Sequence, residues 1–234
     1  MVELDVRLTS DRIPIILHDP DVSATTDGRG PVHGLSLAEV KRLDASPGAG
    51  DRHEIPTLAE ALEVIEGTGS AGVNLEIKNI PGEPAFDSPA EAVLRAALDV
   101  LERSGFRAPV LVSSFNWITI ERSRELAPPL PTGFLTIGAV DPRAALDYAR
   151  QRGHAFVLPQ SAALLGSGPG FIDEAHAEGI RVGTWTVDDE SELATLFGWD
   201  VDAVASNDPS LALGVRDRVR SVQQGQGVRN RLDQ

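Results

Sequence analysis

The 234-residue sequence contains no cysteine. That absence excludes disulfides, a thiolate nucleophile and any zinc–thiolate site, and it is compatible with every compartment. Lysine is almost absent as well: only Lys41 and Lys78 occur, and the net charge is −14. Such a surface repels nucleic acid and anionic membranes at long range, so neither is expected as a partner. No apolar run approaches the roughly 18 residues of a membrane span, which argues against stable membrane insertion. Met1 is followed at once by charged strand residues, not by a basic stretch and an apolar core. No signal peptide is therefore expected, and a cytoplasmic location follows as the simplest assignment. No Gly-x-Gly-x-x-Gly follows any strand-like run, so nothing supports a dinucleotide fold.

What is present is a repeated unit. A short β-branched run leads into a capped helical segment, and this happens seven times. Val73–Lys78 leads to Ser88-Pro89-Ala90-Glu91, which has the form of a capping box with proline at the first helical position. Val110–Ser113 leads to a helix near 116–126, and Thr132–Thr136 leads to Asp141-Pro142 opening Arg143–Arg152. Ala155–Leu158 precedes a helix near Phe171–Glu178. Arg181–Val187 precedes the caps of Asp189–Glu192, and Asp202–Ser206 precedes Asp208-Pro209. The first strand, Val2–Thr9, reaches its helix late, at Thr57-Leu58-Ala59-Glu60. Strands alternating with single helices predict parallel strands joined by right-handed crossovers. The expected fold class is α/β, a (β/α)₈-type barrel with its first unit missing, since closure needs eight. An open doubly wound sheet is the alternative. The barrel is expected over residues 1–214 with an irregular insertion at about 20–55, and a polar tail with five arginines over 215–234.

Chemistry-bearing residues gather at the start. Glu3 and Asp5 are two apart on a strand and share a face, while Val2, Leu4, Val6 and Leu8 take the other. His18-Asp19 ends the apolar run Ile13–Leu17. Glu76 alternates with Val73, Leu75 and Ile77, and should point inward with Asn74 and Lys78. A barrel interior is normally packed with branched apolar residues, so inward polar groups near a strand end favour function over filling. Three carboxylates on two strands beside an imidazole suit a divalent-metal site with an acid/base group. Taken alone, Glu3-x-Asp5 fits the wet face of a half-exposed strand better than a metal site. A divalent cation would also give this acidic protein local positive charge for an anionic substrate.

These segments resemble the glycerophosphodiester phosphodiesterase family of the PLC-like phosphodiesterase superfamily. The matching text is Val2–Thr9, Ile15–Asp19, Thr25-Thr26-Asp27-Gly28-Arg29-Gly30, Ile55–Glu60, Leu75–Lys78, Ser113-Ser114-Phe115, Thr184–Val187 and Ala205–Pro209, in the family's order up to about residue 214. The resemblance implies a (β/α)₈ barrel and hydrolysis of a glycerophosphodiester to an alcohol and glycerol 3-phosphate. It implies that Glu3, Asp5 and Glu76 ligate a divalent cation, Ca²⁺ or Mg²⁺. It further implies that His18 is one of two catalytic histidines, that Lys78 contacts the substrate phosphate, and that Trp185 packs on the glycerol.

The sequence departs from the family at its start. The segment that carries the other catalytic histidine and a further metal-site carboxylate is absent, and His33, His53, His154 and His176 sit in no matching context. The expectation is that Met1 is an internal codon of a longer frame and that this form is impaired. Arg12 stands where the tight turn usually carries glycine, a cost only if the turn needs positive φ. Two other readings compete: a non-catalytic barrel relative that binds a phosphorylated ligand, and a phospholipase-type enzyme with intramolecular attack.

Overall fold

Alternation in the first strand decides which groups face the core. The computed structural model describes residues 1–48, 50–69 and 71–232, with side chains described to residue 224. Strand β1 (Val2–Leu8) pairs in parallel with β3 (Val73–Ile77). Leu4, Val6, Val73, Leu75 and Ile77 pack in one hydrophobic cluster with Leu58, Leu62 and Leu94. Fully burying one such side chain is worth about 1.5–3 kcal/mol. A one-residue slip of β1 would carry Glu3, Asp5 and Arg7 into that cluster, so register is strongly specified.

The chain divides into two units, Met1–Thr132 and Gly133–Gln234. In the first, the strand order is β2-β1-β3-β4, with β2 (Pro14–Ile16) antiparallel to β1 and β4 (Val110–Ser114) parallel to β3. Helix α1 (Leu37–Val40) is one turn long. Helices α2 (Leu58–Gly67), α3 (Ala92–Ser104) and α4 (Trp117–Leu126) complete the unit. The second runs β5-β6-β7-β8, all parallel in the described pairs. Its elements are β5 (Thr132–Thr136), α5 (Pro142–Arg152), β6 (Phe156–Pro159), α6 (Ser161–Ser167), α7 (Gly170–Ala177), β7 (Arg181–Thr184), α8 (Glu190–Gly198), β8 (Ala203–Val204) and α9 (Pro209–Leu232). This succession of strand and helix is the α/β pattern of a (β/α)₈-type barrel.

The caps explain where helices begin. Ser36 with Glu39 and Thr57 with Glu60 each form a reciprocal capping box. Asp141 accepts from Arg143 N ahead of Pro142, and Asp189 accepts from Ser191 N and Glu192 N. The capping box expected at Ser88–Glu91 does not form. Glu91 instead turns inward with φ of 50°, and its Oε2 accepts from Asn79 Nδ2 at 2.9 Å and Thr119 Oγ1 at 2.7 Å. A buried pair of donors outcompetes the local cap, and α3 begins only at Ala92. Burial then pushes the Glu91 carboxyl upward, toward the neutral acid.

Two further expectations meet the structure here. The irregular stretch has a core of its own, Ile15, Leu17, Val22, Val32, Val40 and Ile55. The polar stretch from 215 continues α9 to Leu232, and residues 233–234 lie outside the described residues. In the β1–β2 turn, Arg12 N donates to Thr9 O at 2.9 Å and Arg12 adopts φ of 65°. A side chain costs about 1 kcal/mol in that left-handed region. Arg12→Gly is therefore expected to stabilise the protein by about 0.5 kcal/mol, once the greater freedom of glycine in the unfolded chain is subtracted. Urea denaturation checks this, and a lower midpoint at unchanged slope would count against it.

Candidate active site

The inward row of β1 carries Glu3, Asp5, Arg7 and Thr9, and that of β3 carries Asn74, Glu76 and then Lys78. Cross-strand register sets Glu3 beside Asn74 and Asp5 beside Glu76, and β4 adds Ser113 beside Glu76. One oxygen from each of Glu3, Asp5 and Glu76 lies within 4.8 Å of the others. Lys78 reaches back over this group. Its Nζ is 2.8 Å from Asp5 Oδ1 and forms a closer ion pair with Glu76 Oε1. The same ammonium lies 5.9 Å from the centroid of the Phe115 ring.

The electrostatics follow from crowding like charges in a partly buried place. Burial, then repulsion by Asp5 and Glu76, pushes the Glu3 carboxyl up to about 8, against the pull of Lys78. Glu3 nonetheless keeps more of its surface open to solvent than Asp5 or Glu76 does. Glu76 is raised as well, by burial, with Lys78 opposing. Burial works to lower Lys78, and its ion pairs with Glu76 and Asp5 outweigh that and hold it above its ordinary value.

Several observations test whether these residues fit a metal. Fully ionised, the three carboxylates and Lys78 carry a formal charge of minus two, which one divalent cation balances. All the donors are hard oxygens, the set that Mg²⁺ and Ca²⁺ prefer. Asn74 Oδ1 and Ser113 Oγ are buried on the same inward face without a hydrogen-bond partner. Unmet acceptors beside crowded carboxylates are what a bound, hydrated cation relieves. The residues fit the group.

His18 stands just past β2, where Leu17 N still donates to Asp5 O at 2.9 Å. Its ring is mostly exposed, with Nδ1 2.8 Å from Asp19 Oδ1. The Leu17–Asp5 bond holds the adjoining His18 backbone beside β1. The structure thus brings Glu3, Asp5, Glu76 and Lys78 together in the first unit, with the His18 backbone held beside Asp5. Trp185 belongs to the second, where its indole donates to Leu158 O at 2.9 Å. His176 pairs with Asp202 at 2.8 Å, a contact its sequence context did not announce.

Comparison with known proteins decides the family. The model of the glycerophosphoryl diester phosphodiesterase family matches residues 1–211. The chain belongs to that family. It is 30% identical over 222 residues to a glycerophosphodiester phosphodiesterase of Caldanaerobacter subterraneus, covering 92% of this chain and 84% of the relative. A putative glycerophosphodiester phosphodiesterase of Bacillus subtilis is 27% identical over 219 residues, covering 91% and 84%. Among solved structures, a phosphodiesterase of Oleispira antarctica in complex with its product sn-glycerol-3-phosphate has a TM-score of 0.82 at 32% identity. The match covers 92% of this chain and 84% of that one. A putative family member from Agrobacterium tumefaciens has a TM-score of 0.78 at 25% identity, covering 94% and 86%. As a glycerophosphodiester phosphodiesterase, the chain is a phosphoric diester hydrolase with the α/β barrel fold of these relatives. Among the described residues, no helix is long and apolar enough to cross a membrane.

Proposed function

We propose that this phosphodiesterase holds one divalent cation, Ca²⁺ or Mg²⁺, between Glu3, Asp5 and Glu76 and uses it to hydrolyse glycerophosphodiesters to an alcohol and glycerol 3-phosphate. The convergence of three carboxylate oxygens within 4.8 Å carries this reading. When bound, the cation supplies Lewis-acid polarisation of the phosphoryl group and offsets its developing charge. The chain's own residues do the rest. Lys78, positioned over the cluster, donates to a phosphate oxygen and adds fixed positive charge where negative charge grows. His18 transfers a proton at the nucleophile or at the leaving alkoxide, a role suited to an exposed imidazole. Asp19, on Nδ1, selects the tautomer that presents Nε2 to the substrate. The family pattern assigns Trp185 to the glycerol.

His18 fills one of the two acid/base roles the family uses. The product held by the Oleispira antarctica relative supports glycerol 3-phosphate as the common product here. The test is release of glycerol 3-phosphate from glycerophosphocholine and glycerophosphoethanolamine, with added Mg²⁺ or Ca²⁺ and with chelator. Metal-dependent release supports the reading. Binding of glycerol 3-phosphate by calorimetry without any turnover would favour the ligand-binding relative instead, and a cyclic phosphate product would point to intramolecular attack.

A further inference from the structure

His18 has little to fix it. Its side chain is 71% exposed, its ring bonds the neighbouring Asp19, and regular pairing in β2 ends two residues before it, at Ile16. An acid/base group must nevertheless stay within a fraction of an ångström of its place, since a misplacement of about 1 Å can cost about 100-fold in rate. Something buried must hold the backbone from which the imidazole projects.

Arg7 does so. It lies on the inward row of β1, two residues beyond Asp5, and its side chain is only 5% exposed. Its Nε donates to the His18 carbonyl oxygen at 2.9 Å. Its Nη1 and Nη2 donate to the two carboxylate oxygens of Glu83 at 2.6 and 3.1 Å. Glu83 sits in the loop between β3 and α3, five residues after Lys78. That loop is itself pinned: Phe86 N donates to Glu83 O, and Asn79 exchanges hydrogen bonds with both backbone groups of Asp87. One guanidinium therefore joins the backbone of the acid/base residue to the segment that follows the phosphate-binding lysine.

We propose that Arg7 is a positioning residue for the reaction: clamped by Glu83, it fixes the main chain of His18 and so the direction of its imidazole. The planar fork is required. Five donors in fixed geometry satisfy a bidentate carboxylate and a carbonyl at once, whereas lysine offers one point charge and cannot span both. The charge-assisted pair with Glu83 keeps the buried guanidinium from being orphaned, so the clamp costs little to maintain in the folded state.

The proposal rests on the role given to His18 above, and its test is chosen to fail separately from that role. The full chain with Mg²⁺ present is compared with Arg7→Lys and Glu83→Gln. NMR on histidine-labelled and uniformly labelled protein follows the His18 ring, assigned by its loss in His18→Gln, and the Asp19 amide, which reports hydrogen bonding at the His18 carbonyl. In Arg7→Lys the Asp19 amide is expected to move and the His18 ring signal to broaden or shift toward that of a solvated imidazole. kcat is expected to fall about 10- to 100-fold with KM changed less than about threefold. Glu83→Gln, which keeps the reach of the side chain and one oxygen acceptor for the guanidinium, is expected to give the same changes at smaller size, and it serves if Arg7→Lys does not fold. His18 and Asp19 signals unchanged in the folded variants overturn the proposal, whatever kcat does. Absence of turnover in the unsubstituted chain would count against the catalytic reading and leave the NMR comparison to decide the clamp.

Discussion

His18→Ala is expected to lower kcat on glycerophosphodiesters by about 10²–10⁴, the range for losing a positioned acid/base group. KM should change little, because the imidazole is mostly exposed and the groups proposed to hold the phosphate are Lys78 and the cation. The fold should be unaffected, since the ring is mostly exposed and bonds the adjacent Asp19. His18→Gln separates the roles further. It keeps a polar side chain of similar reach without a proton to give or take near neutrality, so it should be as slow as alanine. The check is a steady-state assay beside a thermal melt. A kcat within about threefold of the parent chain would make His18 a surface residue with no part in the chemistry.

Loss of the metal is expected to have the larger effect. Chelation should take glycerol 3-phosphate release to background, and added Mg²⁺ or Ca²⁺ should restore it. Glu76→Ala should not be rescued at any accessible metal concentration. Glu76 is the most buried of the three carboxylates, and its removal leaves the Lys78 ammonium in a desolvated place with Asp5 as an ion-pair partner. The pH dependence follows from Glu3. Its carboxyl is pushed up to about 8, so below that pH a proton occupies the group that must be ionised to ligate. Metal binding releases that proton. Apparent affinity is expected to rise about tenfold per pH unit up to about 8 and then level off. Titration calorimetry with Mg²⁺ between pH 6 and pH 9 measures it. A flat profile would remove Glu3 from the ligand set, and activity that survives exhaustive chelation would remove the metal from the account.

The parts of the site carried by strand alternation were legible in the sequence. Glu3 and Asp5, and separately Glu76 and Lys78, are spaced so that period two alone puts each pair on one face, with Leu4, Val6, Leu75 and Ile77 opposite. The parallel register of β1 with β3 then brings the pairs together. Most helix starts were legible for a similar reason: Ser36, Thr57, Asp141 and Asp189 cap with local hydrogen bonds. What was not legible depends on distant partners. Arg7 and Glu83 are 76 residues apart, and nothing in the text around either announces the other. Glu91 had the right neighbours for a capping box, but Asn79 and Thr119 took its carboxylate into the interior. The single-turn pairing of β2 against β1 hides in a run of three residues, too short for periodicity to show its direction.

The most direct test of the metal site is a crystal structure of the chain grown with Mn²⁺ and glycerol 3-phosphate, with data collected to show the anomalous signal of the metal. Mn²⁺ takes the same oxygen ligands as Mg²⁺ and can be located without ambiguity. The account predicts one anomalous peak about 2.0–2.6 Å from an oxygen of each of Glu3, Asp5 and Glu76, with the phosphate of the product against it and within hydrogen-bonding reach of Lys78. A peak held by other residues, or phosphate bound away from the three carboxylates, would contradict it.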